Sequence, residues 1–212
     1  YIHNYKCPLI IKKHLPNTKI IAILRQPALR AYSNYLHTIR SGKEPIKKFK
    51  DALNAEDERI KNNWDPLYHY KNKGLYYDQL NRYYKIFPKE NIHVIIFEDF
   101  IKDPDKIIRG VFNFLNIDPS FNVKYNYIKN KSGIPKGTLG WIVKKARFYN
   151  IIPKIEFSKY LSEKTISLIF NRIYKKPDKL SANMKEHLTQ TYFKEDILKL
   201  ENLIKKDLNI WL

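Results

Sequence analysis

Arg25, Arg30 and Ser33 fall close together in the stretch from Lys19 to Gly42, which reads KIIAILRQPALRAYSNYLHTIRSG. Arginine presents a planar fork of donors that grips a phosphate through two parallel hydrogen bonds, which the point charge of lysine does not do. A serine hydroxyl eight residues further on adds another donor to the same kind of anion. Arg25 is also the first polar residue after an apolar run, and Pro27 suits the first turn of a helix. Arg30, Ser33 and His37 then share one helical face by their spacing. At the carboxyl end of a strand, beside a helix N-terminus, such groups stand where open α/β sheets bind ligands. A second arrangement uses the same residues without a ligand: Arg25 pairs with Glu98 or Asp99, and Ser33 faces water. Spacing alone leaves both open.

Two short continuous runs, Lys19 to Leu24 and Ile92 to Phe97, are rich in isoleucine and do not alternate, so they read as strands covered on both faces. Helices are expected between them, from Pro27 to about Gly42, from Ile46 to Lys61, and from Leu75 to Phe87 before Pro88. After the second strand, Asp103 caps a helix that opens at Pro104 and carries Ile107, Ile108, Val111, Phe112 and Leu115 at helical spacing. Residues 122 to 139 read as a polar, glycine-containing loop. Further helices are expected over 139–148, 163–174 and 183–208, the last with Leu188, Tyr192, Ile197, Leu200, Ile204 and Leu208 as its apolar stripe. Strands alternating with helices indicate an α/β class with a mainly parallel sheet flanked by helices and a helical C-terminal part.

The chain has 212 residues, 43% of them hydrophobic, which suits one domain with its own core. No apolar run is long enough to span a bilayer, and the single Cys7 has no partner for a disulfide. Forty Lys and Arg against 21 Asp and Glu give a net charge of +19, spread along the chain rather than gathered in a tail. That balance favours anionic partners: a nucleotide, a polyanionic glycan, nucleic acid or an acidic membrane surface.

The segment LRQPALRAYSNYLH resembles the R-x-P-x-x-R-x-x-S signature of sulfotransferases that use 3′-phosphoadenosine 5′-phosphosulfate. In that family the first arginine and the serine bind the donor's 3′-phosphate, so the resemblance gives that role to Arg25 and Ser33. The stretch GLYYDQLNRYYKIFPKENIHVIIFEDFIKDPDKIIRGVFNFLNI is similar to the family's later region, and LTQTYFKEDILKLENLIKKDLNIWL to its closing helix and terminal tryptophan. An aromatic at the Tyr77 position contacts the donor's adenine in the family. The loop KNKSGIPKG stands where the family closes a second basic segment over the 3′-phosphate, which makes Lys131, Ser132, Gly133, Lys136 and Gly137 candidates. The implied fold is of the P-loop type. The implied activity is transfer of a sulfuryl group to a hydroxyl or amine, with a glycan the favoured acceptor, 3′-phosphoadenosine 5′-phosphate as product and no metal.

The family's phosphosulfate loop, with its catalytic lysine, has no counterpart in these residues, and neither does its catalytic base. The resemblance therefore implies a single sulfotransferase-like domain, residues 1–212, truncated at its N-terminus. A lone cysteine fits the cytoplasm, and a Golgi-type enzyme anchored ahead of Tyr1 fits as well. Two other classes compete. A basic nucleic-acid or polyanion-binding module without catalysis would use the tyrosines to stack bases. A P-loop kinase would need magnesium ligands that the sequence does not offer.

Overall fold

The structure is a computed structural model that describes residues 2–121, 123, 134–149 and 162–212. The first half of the chain runs α1 (Cys7–His14), β1 (Ile20–Leu24), α2 (Pro27–Arg40), α3 (Phe49–Asn54), α4 (Glu56–Lys61), α5 (Tyr76–Tyr84), β2 (Ile92–Ile96), α6 (Phe97–Lys102) and α7 (Pro104–Leu115). The second half adds β3 (Ile134–Pro135), α8 (Gly137–Phe148), α9 (Glu163–Ile173), β4 (Tyr174–Lys175), α10 (Ala182–Leu188) and α11 (Lys194–Ile204). These elements fall into two compact units: residues 1–30, 71–125 and 181–212, and residues 31–70 and 126–180. The boundary lies within α2, between Arg30 and Ala31.

In the first unit β1 and β2 pair in parallel, from Ile20 opposite Ile92 to Leu24 opposite Ile96. The connection between them is the long crossover that a parallel pair requires. Val94, Ile95 and Ile96 of β2 are buried, as a doubly covered strand should be. β1 departs from that expectation, because Ile21 and Ile23 are 39% and 57% exposed. Among the described residues β1 pairs with β2 alone, on one edge. A cavity of about 640 Å³ runs along the strand, with Tyr76, Leu80 and Tyr83 of α5 among its lining residues. α5 packs on α11, and Phe193, Ile197, Leu200, Leu208 and Trp211 close the core behind it.

Several boundaries differ from the sequence expectation. α1 was not foreseen; Pro8 opens it, and Lys12, Lys13 and His14 sit in its last turn, where cations suit the helix dipole. β2 stops at Ile96, so Phe97, Glu98 and Asp99 belong to the first turn of α6. Asp103 does cap α7, its carboxylate accepting from the Lys106 amide at 3.0 Å. The expected helix over 46–61 is two, since the Ile46 amide turns back to the Glu44 carboxylate and Ala55 separates α3 from α4. The long C-terminal helix is interrupted by a π turn, Thr189–Phe193. The Thr189 hydroxyl donates to the Lys185 carbonyl at 2.8 Å, a back-bond that disturbs the helical ladder. The wider turn rotates the following face, so that Phe193 is buried in place of the expected Tyr192. Leu208 is buried although α11 has already ended at Ile204.

The second unit holds its own ring cluster, in which Tyr35 lies 5.2 Å from Phe49 and 6.0 Å from Tyr70, centroid to centroid. β3 and β4 pair antiparallel, Ile134 opposite Lys175; β3 lies in the stretch expected to be loop, and β4 starts at Tyr174, the last residue of the helix expected over 163–174. Gly140 of α8 sits where a Cβ would lie 2.5 Å from the Ile173 carbonyl oxygen.

Candidate functional site

Arg25 follows the last residue of β1, and its guanidinium lies over the Phe97 ring, 5.2 Å from the centroid. Such a stack leaves the edge donors of the guanidinium available while fixing its plane. Glu98 does not pair with it. One carboxylate oxygen of Glu98 accepts from the Gln26 amide at 3.1 Å and the other from the Trp211 indole at 3.0 Å. Asp99 is exposed and forms no ion pair with Arg25 among the described residues. The alternative pairing of Arg25 with Glu98 or Asp99 is thus not formed among the described residues. Arg25 also lines the cavity along β1, together with Arg30 and Lys73, and among the described residues no Asp or Glu lines it. A phosphate-class anion fits that donor set.

Gln26 is buried, and each of its polar groups is engaged. Its side-chain nitrogen Nε2 donates to the Thr189 hydroxyl at 2.8 Å and the Trp211 carbonyl at 3.3 Å, and its side-chain oxygen accepts from the Leu29 amide at 2.8 Å. That last bond satisfies a free donor in the first turn of α2, as a helix cap does. The Tyr76 hydroxyl donates to the Arg25 carbonyl at 2.9 Å. Burial pushes this phenol up to about 12, so it stays protonated and remains a donor.

Tyr77 is half-buried in the first turn of α5. Its amide and that of Tyr76 donate to the Asp196 carboxylate, at 3.2 and 2.7 Å. Asp196 thus caps α5 from another helix. Burial lifts its carboxyl from 3.8 to about 6, against the opposing pull of the two amides. A raised folded value means that the protonated form is favoured by folding. The contribution is therefore complete below about pH 4 and is lost as pH rises through 6. At 1.36 kcal/mol per pH unit, discounted because the group is only half-buried, the loss is about 1–2 kcal/mol. Asp196→Asn is expected to flatten the dependence of urea-unfolding free energy on pH between 4 and 7, and an unchanged slope would contradict this.

Ser33 is half-buried on the part of α2 that belongs to the second unit, while His37 on that segment is exposed. Burial and the neighbouring Arg40 and Lys43 hold His37 below its ordinary value. Lys136 is exposed and its amide donates to the Ile173 carbonyl at 2.7 Å. Gly137 opens α8 with φ +58°, a left-handed conformation that suits glycine. Lys131, Ser132 and Gly133 lie outside the described residues. Arg25, Tyr76 and Tyr77 are thus placed together in the first unit, and Ser33, Lys136 and Gly137 in the second. Sequence reasoning missed Gln26, Thr189, Asp196 and Trp211 as parts of the site. Their only sequence signal is the terminal tryptophan, which carried the family resemblance and no role.

The chain is similar to known proteins in sequence and in fold. The profile of the sulfotransferase domain family matches residues 2–150. The chain belongs to that family. It is 26% identical over 137 residues to heparan sulfate glucosamine 3-O-sulfotransferase 3B1 of Mus musculus, a match covering 64% of this chain and 34% of that protein. It is 30% identical over 133 residues to heparan sulfate glucosamine 3-O-sulfotransferase 5 of Homo sapiens, covering 61% and 37%. The bifunctional heparan sulfate N-deacetylase/N-sulfotransferase of Drosophila melanogaster is 32% identical over 108 residues, covering 50% and 10%. The matches thus span about a third or less of these curated relatives. A crystal structure of a sulfotransferase from Alicyclobacillus acidocaldarius superposes with a TM-score of 0.70 at 26% identity, over all of this chain and 64% of that one. The α/β class expected from the strand and helix pattern agrees with this neighbour.

Proposed function

We propose that the chain carries the 3′-phosphate half of the donor site of a sulfotransferase that uses 3′-phosphoadenosine 5′-phosphosulfate. The observation that carries this reading is Arg25, at the carboxyl end of a parallel strand and in no ion pair with a carboxylate among the described residues, with its guanidinium plane set by Phe97. Ser33, two turns into the next helix, supplies a second donor to the same phosphate. Tyr77 offers a ring to the adenine, and Lys131, Ser132, Gly133, Lys136 and Gly137 supply the basic segment that covers the phosphate. The donor brings the activated sulfuryl group. In its transfer the bond from sulfur to the phosphate oxygen breaks, a bond to the acceptor oxygen or nitrogen forms, the acceptor loses its proton and 3′-phosphoadenosine 5′-phosphate leaves. The residues named here bind and orient the end of the donor remote from that chemistry, which supports catalysis through positioning.

The open edge of β1, with Ile21 and Ile23 exposed beside the cavity, suits a further strand. In this reading that strand leads to the loop that holds the 5′-phosphosulfate. The acceptor is a hydroxyl or amine of an anionic glycan. Support comes from the names of the heparan sulfate relatives and from the net charge of +19, which attracts polyanions. A basic module without catalysis shares the charge but not the family, and is not favoured. Among the described residues no helix is long and apolar enough to cross a membrane.

The reading is tested by incubating the full-length protein with donor labelled at the sulfuryl sulfur and N-sulfated heparan chains, with and without EDTA. Label is expected in the glycan under both conditions. Transfer that needs magnesium, or transfer of a phosphoryl group from ATP instead, would contradict it.

A further inference from the structure

Both polar atoms of the peptide bond that joins Arg25 to Gln26 are held by residues from elsewhere in the first unit. The carbonyl of Arg25 accepts from the Tyr76 hydroxyl of α5 at 2.9 Å, and the amide of Gln26 donates to the Glu98 carboxylate of α6 at 3.1 Å. Glu98 is held in turn by the Trp211 indole at 3.0 Å, and Trp211 is fully buried with its ring 6.1 Å from that of Tyr76. Phe97, next to Glu98, carries the Arg25 guanidinium on its ring. The first turn of α6 therefore meets both the Arg25 side chain and the backbone amide of the next residue, Gln26.

This is more support than a strand end needs for folding. A peptide plane with neither atom bound elsewhere swings readily at the end of a strand, and each swing redirects the attached side chain. An arginine has about 2 kcal/mol of rotamer entropy to lose when an anion immobilises it. Fixing the peptide and resting the guanidinium on a ring removes much of that loss before binding, which is how preorganised sites gain affinity. Glu98 is suited to the task because, ionised, it offers only acceptors, and two donors converge on it. A glutamine there would face one of those donors with its own N–H₂.

We infer that Tyr76, Glu98 and Trp211 are positioning residues that fix the Arg25–Gln26 peptide and so aim the Arg25 guanidinium at the 3′-phosphate. The inference rests on the reading of Arg25 given above. Glu98 and Trp211 do not line the cavity; Tyr76 does, with its hydroxyl engaged by the Arg25 carbonyl.

The test compares the affinity of the chain for 3′-phosphoadenosine 5′-phosphate with that for adenosine 5′-monophosphate, in the parent chain, Glu98→Gln and Tyr76→Phe. Tyr76→Phe removes a single oxygen and keeps the ring, so it reports even if Glu98→Gln does not fold. In each variant the ratio of the two affinities is expected to fall about fivefold or more, with the monophosphate affinity within twofold of the parent. Ile95→Val serves as the control for stability alone, since Ile95 is buried in β2 and bonds to none of these groups. It is expected to lower the melting temperature and leave the ratio unchanged. A parent ratio well above one that persists in Tyr76→Phe and Glu98→Gln would overturn the positioning role and leave Arg25 in place. A parent ratio of one would overturn the reading of Arg25, and this inference with it.

Discussion

Replacing Arg25 by alanine is expected to weaken binding of 3′-phosphoadenosine 5′-phosphate by about 10- to 100-fold while leaving adenosine 5′-monophosphate within twofold of the parent. Charge-assisted hydrogen bonds contribute about 1.5–3 kcal/mol each, and 1.4 kcal/mol is a factor of ten in affinity. The guanidinium is set by Phe97 and by the pinned peptide, so little of that gain is spent on ordering it. Arg25→Lys keeps the charge but loses the fork and the stack, and is expected to recover less than half of the lost free energy. The fold is expected to survive both changes, because the Gln26 network does not involve the Arg25 side chain. Equal losses for the two nucleotides would show that Arg25 acts on the shared 5′-phosphate or on the fold, and not on the 3′-phosphate.

The second large effect lies in the other unit. Glu44 is fully buried and forms two parallel hydrogen bonds, each 2.8 Å, with Arg59, which is also buried. The Tyr70 hydroxyl bonds to the same carboxylate and lies 2.8 Å from the Thr38 hydroxyl. The Arg59 guanidinium lies beside the Trp64 and Tyr68 rings, 5.0 and 5.2 Å from their centroids. Burial works against the carboxylate, but the bonds from Arg59, Tyr70 and the Ile46 amide outweigh it and hold Glu44 below its ordinary value. Removing one partner of such a pair strands the other charge in the core and costs about 3–5 kcal/mol. Arg59→Ala is therefore expected to lower the melting temperature by about 6–20 °C at roughly 2–4 °C per kcal/mol. A joint Glu44→Gln, Arg59→Met variant is expected to regain at least half of that, because no lone charge remains. A loss under about 1 kcal/mol for Arg59→Ala would mean that water reaches the pair.

The legible and illegible parts of this chain divide along a physical line. Local signals served well: the isoleucine runs gave both strands to within a residue, Pro27 opened α2, and Asp103 capped α7. Arg25 stands out in the sequence because its distinctive surroundings are contiguous. Asp196 was not found, because the amides it caps lie 120 and 119 residues away. Glu98 was noticed, but as an ion partner for Arg25. Its true partners, a backbone amide and an indole, leave no trace in charge or periodicity. Nothing in the sequence set Glu44 and Arg59 apart, since burial of a polar group is decided by tertiary closure. The π turn at Thr189 to Phe193 shifted the expected apolar stripe, and only the back-bonding threonine hinted at it. β1 was expected to be covered on both faces because composition reports what a strand tolerates, not which neighbours it has.

The central claim is that the carboxyl end of β1 recognises a 3′-phosphate. Calorimetric titration of the chain with 3′-phosphoadenosine 5′-phosphate and, in parallel, with adenosine 5′-monophosphate tests it most directly. At least tenfold tighter binding of the bisphosphate is expected. Equal affinities, or binding governed by salt alone, would contradict it.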